Sequence, residues 1–159
     1  MREITTNNLG TVLALPERFV YLRGGEGVGK TTLLFEIGIT LLNGGRNGIY
    51  VTYDEPLLTK GKKLYVTGFN NRERILTQTT ANKFDKVVKG NIDFILWDDV
   101  RLFPNPTILE KIFVLNVPKV YMASVPPDNS HWFYKYMRHE SETPLQTQFY
   151  ENVVDVWLK

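Results

Sequence analysis

Apolar and polar positions occur in blocks along the chain, and the blocks predict strands that alternate with helices. Short apolar runs rich in β-branched and aromatic residues predict strands, whereas a longer apolar run stopped by two glycines predicts a helix. The predicted strands cover residues 18–23, 48–53, 93–98 and 119–125, and the predicted helices cover 30–43, 71–89 and 106–115. This alternation predicts an α/β fold with a mainly parallel sheet and helices on both of its faces, in three α/β/α layers.

The segment after these elements has a different pattern. A turn and N-cap signal at residues 128–130 precedes a short helical run, in which four large apolar side chains recur at helical spacing. They are Trp132, Phe133, Tyr136 and Met137. Residues 147–159 alternate and are rich in strand formers, so we expect one or two late strands there. No linker or repeat interrupts the pattern, which predicts a single domain over residues 1–159.

Composition excludes several classes of protein. With 43% hydrophobic and 23% charged residues, the chain is typical of globular proteins and not of disordered ones. The net charge of +2 and the isoelectric point near 8.8 permit a nucleic-acid partner without requiring one. Cysteine is absent, which excludes disulfides, thiolate catalysis and cysteine-ligated zinc, and two histidines are too few for a histidine-rich metal site.

We expect neither a membrane span nor an export signal in this chain. Its first residues have no apolar signal core, and no apolar stretch approaches the roughly 20 residues of a membrane span. We therefore expect a soluble protein of the cytoplasm, or of the host cytoplasm if the chain is viral, with no membrane partner.

Residues 24–31 match G-x-x-x-x-G-K-S/T, the phosphate-binding loop or Walker A pattern. Glycines let successive backbone N–H groups point at phosphate oxygens, and the following helix presents the positive end of its dipole. The pattern predicts that Lys30 reaches the β- and γ-phosphates and that the Thr31 hydroxyl ligates Mg²⁺, so ATP and Mg²⁺ are the expected cofactors. The predicted nucleotide-binding residues are Gly24, Gly25, Glu26, Gly27, Val28, Gly29, Lys30, Thr31 and Thr32.

A second acidic element follows in the sequence. Residues 94–97 are apolar and precede Asp98 and Asp99, which is the form of a Walker B strand. Asp98 is expected to hold Mg²⁺ through water. Asp99 is expected either to assist it or to polarise the attacking water.

In these stretches the chain resembles the RecA-like ATPases, including the KaiC and replicative-helicase branches. The resemblance spans residues 12–125 and is carried by LPERFVYLRGGEGVGKTTLLFEIG, GIYVTYDEP and FILWDDVRLF, in that order. It implies that Glu55, with Asp54 as the alternative, is the general base toward water, so the predicted catalytic set is Glu55, Asp98 and Lys30. It also implies that Ser124, at the end of the strand at 119–125, occupies the place of a γ-phosphate sensor, where the family usually has glutamine.

Two further groups of side chains suggest partners. Lys135 and Arg138 lie among the aromatic residues of the short helical run, and such a mixture contacts unpaired bases in some proteins and forms ordinary core in others. Arginine fingers act from a neighbouring subunit in some ATPases, which leaves open a homo-oligomer. The candidates for that role are Arg72, Arg74, Arg101 and Arg138.

These observations favour a Mg²⁺-dependent ATPase that acts on DNA or RNA in replication, recombination or packaging, in a minimal core such as a virus or plasmid encodes. Two alternatives stay open. Residues 96–113 also resemble the region after the Walker B acid of thymidine kinases, which implies a nucleoside or nucleotide phosphotransferase, although the zinc cysteines of those enzymes are missing. The other alternative is a non-hydrolysing assembly factor that uses nucleotide as a switch.

Overall fold

The computed structural model describes residues 1–53, 65–67, 73–75, 77–88, 91–140 and 143–159. The strands in these ranges are β1 (Arg2–Thr5), β2 (Phe19–Arg23), β3 (Gly48–Thr52), β4 (Tyr65–Thr67), β5 (Glu73–Ile75), β6 (Thr77–Thr80), β7 (Phe94–Trp97), β8 (Lys119–Ser124) and β9 (Val153–Trp157). The α-helices are α1 (Leu9–Leu13), α2 (Lys30–Asn43), α3 (Phe84–Val87), α4 (Thr107–Leu115), α5 (Trp132–Arg138) and α6 (Pro144–Glu151). Single 3₁₀ turns cover Ala81–Lys83 and Val100–Leu102.

Seven of the described strands form one parallel sheet in the order β1-β9-β2-β8-β7-β3-β6. The short strands β4 and β5 pair antiparallel with each other. Strand β8 lies between β2 and β7, so the loop after β2 and the acids after β7 emerge from the same edge of the sheet with one strand between them. The predicted α/β fold with a mainly parallel sheet is therefore confirmed.

Helices cover both faces of the sheet because each central strand is apolar on both sides. In β2, Phe19 and Tyr21 belong to one core cluster, and Val20 and Leu22 belong to the other. Helix α2 packs on the Val20 side through residues such as Ile37. On the Phe19 side the cluster includes buried residues of α4, α5 and α6, among them Ile112, Phe133 and Phe149. The three predicted layers are present.

The predicted elements around the phosphate-binding loop agree with the structure. Strands β2, β3, β7 and β8 and helices α2 and α4 lie within one or two residues of the predicted bounds. Within the described parts of the chain, no helix is long and apolar enough to cross a membrane.

The helix predicted over residues 71–89 is wrong in its described part. The chain there forms β5 and β6, then the 3₁₀ turn at Ala81–Lys83 and the single turn of α3. Strand β6 pairs parallel with β3, with Ile49 opposite Thr77 and Val51 opposite Thr79. A run that contains three threonines gains more from this pairing than from a helix, where β-branched side chains lose rotamer freedom.

The prediction for residues 147–159 is half wrong. Helix α6 occupies residues up to Glu151, and only β9 follows as a strand. The Thr143 side chain accepts a hydrogen bond from the Gln146 N–H, and Pro144 stands in the first helical turn, so the helix has a strong start signal. Strand β1, which pairs with β9, and helix α1 were not predicted.

Candidate nucleotide-binding site

The loop between β2 and α2 has the backbone of an anion-binding nest. Gly27 and Gly29 have φ of 79° and 89°, in the left-handed region that favours glycine. Gly29 is the N-cap of α2, and no side chain caps that helix end. The N-terminal N–H groups of a 14-residue helix therefore face the loop, where they suit a phosphate.

Lys30 is the first residue of α2 and is 8% exposed. Its Nζ donates a hydrogen bond to the carbonyl oxygen of Gly25 at 2.5 Å, which bends the side chain back over the loop. Burial lowers the pKa of Lys30, and the carboxylates of Asp99 and Asp98 oppose that shift. The ammonium therefore lies over the loop, and its contact with the β- and γ-phosphates stays a prediction.

The buried Asp98 carboxylate accepts hydrogen bonds from three other residues of the site. Its Oδ2 accepts hydrogen bonds from the Thr31 hydroxyl at 2.8 Å and from the Tyr50 hydroxyl at 2.7 Å, and its Oδ1 accepts the Asp99 N–H at 3.0 Å. Burial, with Asp98 as the next cause, raises the pKa of Tyr50 and keeps it protonated as a donor. The structure thus brings together Thr31 and Asp98, the two predicted metal ligands.

The Thr31 and Asp98 oxygens fit a magnesium ion. Mg²⁺ prefers oxygen ligands and is usually held by one or two protein groups together with substrate phosphates and water. A hydroxyl and a carboxylate oxygen that touch each other beside a phosphate-binding loop are such a pair. Among the described residues no cluster of three or more acidic, histidine or cysteine side chains offers a metal cage, so a metal ion there would depend on phosphate oxygens as well.

Asp99 stands apart from Asp98 because the chain turns sharply between them. Its φ of 50° is in the left-handed region, which turns its side chain toward the same cavity as the loop. Burial, followed by the charge of Asp98, raises the pKa of Asp99. A half-buried carboxylate beside a phosphate site is a candidate for accepting a proton from water.

A cavity of about 400 Å³ joins these groups. Its lining residues are Glu26, Gly27, Gly29, Lys30, Thr31, Thr32, Asp99, Arg101 and Val125. Of the predicted nucleotide-binding residues, Gly24, Gly25 and Val28 do not line it. Gly24 is instead a packing residue, because an added Cβ would lie 2.5 Å from Val28 Cγ2.

Ser124 does not line this cavity, but it hydrogen-bonds to two residues that do, Arg101 and Val125. The buried Ser124 hydroxyl accepts the Arg101 backbone N–H at 3.2 Å and donates to the Val125 carbonyl at 2.7 Å. Both hydrogen bonds are to backbone groups, so Ser124 fixes the turn that bears Arg101. Its role as a γ-phosphate sensor stays a prediction.

Several predicted residues lie outside the described part of the chain. Glu55 and Asp54, the predicted general bases, are among them, and so is Arg72. Arg74 is in β5, where only the backbone is described. The sequence does not single out Tyr50, because a tyrosine inside an apolar strand belongs to no motif.

The aromatic run in α5 divides between core and surface. Phe133 and Met137 are buried, and Trp132 donates from its Nε1 to the Phe103 carbonyl at 2.7 Å. Trp132 and Tyr136 pack against the same cluster, so the predicted core role of these aromatic residues has direct support. Lys135 and Arg138 are exposed, and the Arg138 guanidinium lies 5.2 Å from the Tyr134 ring centroid.

Arg138 and Tyr134 line a second cavity, of about 430 Å³, on the sheet face opposite α2. Arg23 and Trp157 also line it, and the Arg23 guanidinium lies 4.2 Å from the Trp157 ring centroid. The buried Asp155 carboxylate binds the Arg23 guanidinium through both oxygens and so holds it in place. Glu3 is the acidic residue in the lining of this cavity.

No family model matches the chain, and a search of curated proteins gave no match. Solved structures do match. Domain III of the replication initiation protein DnaA from Thermotoga maritima is 19% identical with a TM-score of 0.54, over 95% of this chain and 60% of that one. AMPPCP-bound DnaA from Aquifex aeolicus is 20% identical with a TM-score of 0.51, over 93% of this chain and 42% of that one.

A third match is the N-terminal domain of the DNA packaging ATPase from bacteriophage phi29. It is 11% identical with a TM-score of 0.57, and the match covers 94% of each chain. The chain therefore spans less than two thirds of each of the two DnaA structures but nearly all of the packaging domain. At these identities the likeness shows the fold alone, which is the α/β fold shared with these DnaA and packaging ATPase domains.

Proposed function

We propose that this protein is a Mg²⁺-dependent P-loop ATPase that binds and hydrolyses ATP and acts on nucleic acid. The observation that carries the proposal is the hydrogen bond between the Thr31 hydroxyl and the Asp98 carboxylate at 2.8 Å, next to a glycine loop that holds Lys30. A generic glycine turn between a strand and a helix has no reason to place an ammonium, a hydroxyl and a buried carboxylate together. A magnesium-bound polyphosphate gives all of them a role.

The nucleotide is proposed from the same groups. The N–H groups of the loop and of the first turn of α2 bind the phosphates, Lys30 contacts the β- and γ-phosphates, and Thr31 and Asp98 hold the metal. Bound Mg²⁺ supplies charge neutralisation between the phosphates. ATP is favoured as the nucleotide because one structure with this fold, the Aquifex DnaA, is described as bound to AMPPCP.

Hydrolysis needs a group that takes a proton from water. The water oxygen forms a bond to the γ-phosphorus, the bond from that phosphorus to the bridging oxygen breaks to release ADP, and a carboxylate accepts the water proton. Asp99 lines the cavity and has a raised pKa, which supports it in this role. Glu55 stays the prediction from the family resemblance, and the two are separable by substitution.

Action on nucleic acid is supported by the second cavity and by the neighbours. DnaA is described as a replication initiation protein and the phi29 protein as a DNA packaging ATPase. The paired arginines and aromatic rings at Arg138, Tyr134, Arg23 and Trp157 offer stacking surfaces and cations together, which suits unpaired bases of DNA or RNA. Lys135 is exposed on the same helix as Arg138.

Four further properties of the chain stay predictions from its sequence. They are the RecA-like branch of the fold, the single-domain organisation, a homo-oligomer and a cytoplasmic location. The phosphotransferase and assembly-factor alternatives also stay open. Hydrolysis of ATP without added nucleoside would argue against both.

Titration calorimetry with Mg²⁺ and ATP tests the nucleotide site. We expect heat of binding for the wild-type protein and none for Lys30→Ala, with Lys111→Ala as a control for loss of a lysine elsewhere in the chain. Thr31→Ala is expected to weaken binding in the presence of Mg²⁺ and to have little effect when EDTA removes it. No binding by folded wild-type protein would overturn the proposal.

Phosphate release distinguishes the two candidate bases. If Asp99 takes the proton, Asp99→Asn lowers kcat by about 100-fold or more while ATP still binds, and Glu55→Gln has a much smaller effect. The reverse result would assign the base to Glu55. Binding with no turnover in the wild-type protein, with and without DNA or RNA, would support the assembly-factor alternative.

A labelled single-stranded oligonucleotide tests the nucleic-acid proposal by fluorescence anisotropy. We expect Lys135→Ala and Arg138→Ala to weaken binding and to reduce its salt dependence, because each removes a cation near the phosphates. Trp157→Ala is expected to weaken binding with an unchanged salt slope, since it removes stacking only. Unchanged affinity in all three variants would remove this part of the proposal.

A further inference from the structure

Arg101 is the only arginine among the described residues that line the phosphate cavity. It lies in the 3₁₀ turn at Val100–Leu102, directly after the Walker B strand β7. Its backbone N–H is bound by the buried Ser124 hydroxyl, which ties the turn to the end of β8. The backbone of Arg101 is thus fixed at the end of the sheet.

The Arg101 guanidinium is paired within the phosphate-binding loop itself. Its Nη2 lies 3.2 Å from Oε1 of Glu26, the loop residue between Gly25 and Gly27. The two side chains are 38% and 80% exposed. An ion pair this exposed contributes only ~0–1 kcal/mol to stability, so a better partner displaces it readily.

The charges in the cavity favour such an exchange. Lys30 and Arg101 are its cations, and Glu26 and Asp99 are its acids, with Asp98 directly behind Thr31. A triphosphate adds one more phosphate than a diphosphate to this space, and Lys30 and Arg101 are the cationic side chains among the described lining residues that can oppose its charge. The guanidinium is the better suited to the extra group, because its planar fork binds phosphate oxygens in a bidentate way.

We propose that Arg101 is a γ-phosphate ligand supplied by the same chain, and that Glu26 competes with the nucleotide for it. In the absence of a γ-phosphate, Glu26 holds Arg101 over the loop. When a triphosphate binds, the guanidinium leaves Glu26 for the γ-phosphate oxygens. This assignment rests on the proposed nucleotide site, and it differs from a finger inserted by a neighbouring subunit because it works in the monomer.

The contact makes Arg101 a residue that distinguishes triphosphate from diphosphate. The test compares the Kd of AMPPCP with the Kd of ADP, each measured in the presence of Mg²⁺ by calorimetry on the full chain. We expect Arg101→Ala to weaken AMPPCP binding by about 10- to 100-fold, the range of a charge-assisted hydrogen bond, and to change ADP binding less than about 3-fold. Arg101→Lys keeps the charge and loses the planar fork. Its affinity for AMPPCP is expected to lie between those of the wild type and Arg101→Ala.

Glu26→Gln is expected to change AMPPCP affinity in the opposite direction from Arg101→Ala. Loss of the competing carboxylate is expected to tighten AMPPCP binding by about 2- to 5-fold, consistent with an exposed ion pair, and to tighten ADP binding by a smaller factor, because ADP has no γ-phosphate for Arg101 to bind. In the double variant with Arg101→Ala the difference between the AMPPCP gain and the ADP gain disappears, since Glu26 then has no guanidinium to hold. Lys111→Ala is the matched control, because it breaks the Lys111–Asp85 pair, which is similarly exposed and lies outside the cavity.

The outcomes separate this inference from the proposed function. If wild-type protein binds neither nucleotide, the nucleotide site itself is wrong, and this inference falls with it. If wild-type protein binds both and Arg101→Ala weakens both equally, Arg101 only supports the loop, and the inference alone is overturned. Equal affinities of wild type and Arg101→Ala for AMPPCP overturn it as well, and circular dichroism of each variant checks that the fold is kept.

Discussion

Gly25 and Gly48 both have backbones that other residues adopt, but their surroundings differ. An added Cβ at Gly48 would lie 2.1 Å from the buried ring of Phe94, whereas nothing lies within 4 Å of one at Gly25. We therefore expect Gly48→Ala to lower the free energy of unfolding by about 1–3 kcal/mol through overpacking. Gly25→Ala is the matched control, and its free energy of unfolding is expected to equal that of the wild type or to be slightly higher. Urea denaturation of the two variants makes the comparison, and equal stabilities would contradict the packing at β3.

Tyr50 is the residue through which β3 reaches the site. Its hydroxyl is one of two that bind Oδ2 of Asp98, so Tyr50→Phe removes a hydrogen bond to a buried carboxylate. We expect a loss of about 2 kcal/mol in the free energy of unfolding, measured by urea denaturation. Tyr53→Phe, at an exposed tyrosine of the same segment, is expected to change it by less than about 0.5 kcal/mol. A loss no larger in Tyr50→Phe than in Tyr53→Phe would contradict the bond to Asp98.

At the residue scale, the sequence predicts those site residues that belong to a recognisable motif and does not predict the others. The Walker A pattern predicts roles for Lys30 and Thr31, and the apolar run before Asp98 predicts a role for that acid, whose carboxylate accepts a hydrogen bond from the Thr31 hydroxyl. The bond from Tyr50 to Asp98 and the ion pair between Arg23 and the buried Asp155 could not be predicted, because the partners are distant in sequence and no motif records the pairing. Arg101 was a candidate only as one of several arginines, and its position at the cavity required the register of β7 beside β8.

Helix α6 shows how a start signal outweighs strand propensity within one element. Thr143 is its N-cap, and the side chain accepts from the Gln146 N–H at 3.2 Å. Thr143→Ala is expected to lower the free energy of unfolding by ~1 kcal/mol, whereas Thr143→Ser keeps the acceptor and is expected to match the wild type within a few tenths. Thermal unfolding measures both. Equal melting temperatures for the alanine and serine variants would mean that the cap contributes nothing.

Elements with strong local signals were predicted, and those decided by pairing were not. Strand β2 and helix α2 each combine an apolar run with a clear stop, so their bounds follow from the sequence. Strand β6 has the composition TQTT, which is polar and short, and it is a strand because β3 lies beside it. Strand β1 likewise depends on β9, from the other end of the chain. Local pattern cannot supply such long-range pairings.

At the scale of the whole molecule, the buried Asp155 is expected to make the stability of the protein depend on pH in the weakly acidic range. Burial raises the pKa of Asp155 to about 6, although Arg23 opposes the shift and Glu3 adds to it. In the unfolded chain an aspartate titrates near 3.9. Between these values the folded state holds a proton that the unfolded state has lost, so stability falls as the pH rises through this window.

The measurement is the free energy of unfolding in urea from pH 4 to pH 7. We expect Asp155 to contribute a decrease on the order of 2–3 kcal/mol across that range. In Asp155→Asn, which cannot titrate, this contribution is absent, and the difference between the two curves isolates it from the other acids. Curves that run parallel from pH 4 to pH 7 would mean that Arg23 keeps the carboxylate ionised in the folded state throughout.

The neighbours of β2 decide when the phosphate-binding loop can form during synthesis. Phe19 pairs with Val120 on one side and with Val153 on the other, so the strand that leads into the loop has both of its partners in later parts of the chain. A nascent chain on the ribosome therefore has its glycine-rich motif long before it has a sheet to support it. Such distant pairing slows folding, and the capacity to bind a nucleotide is expected to appear only once nearly the whole of β9 has left the exit tunnel.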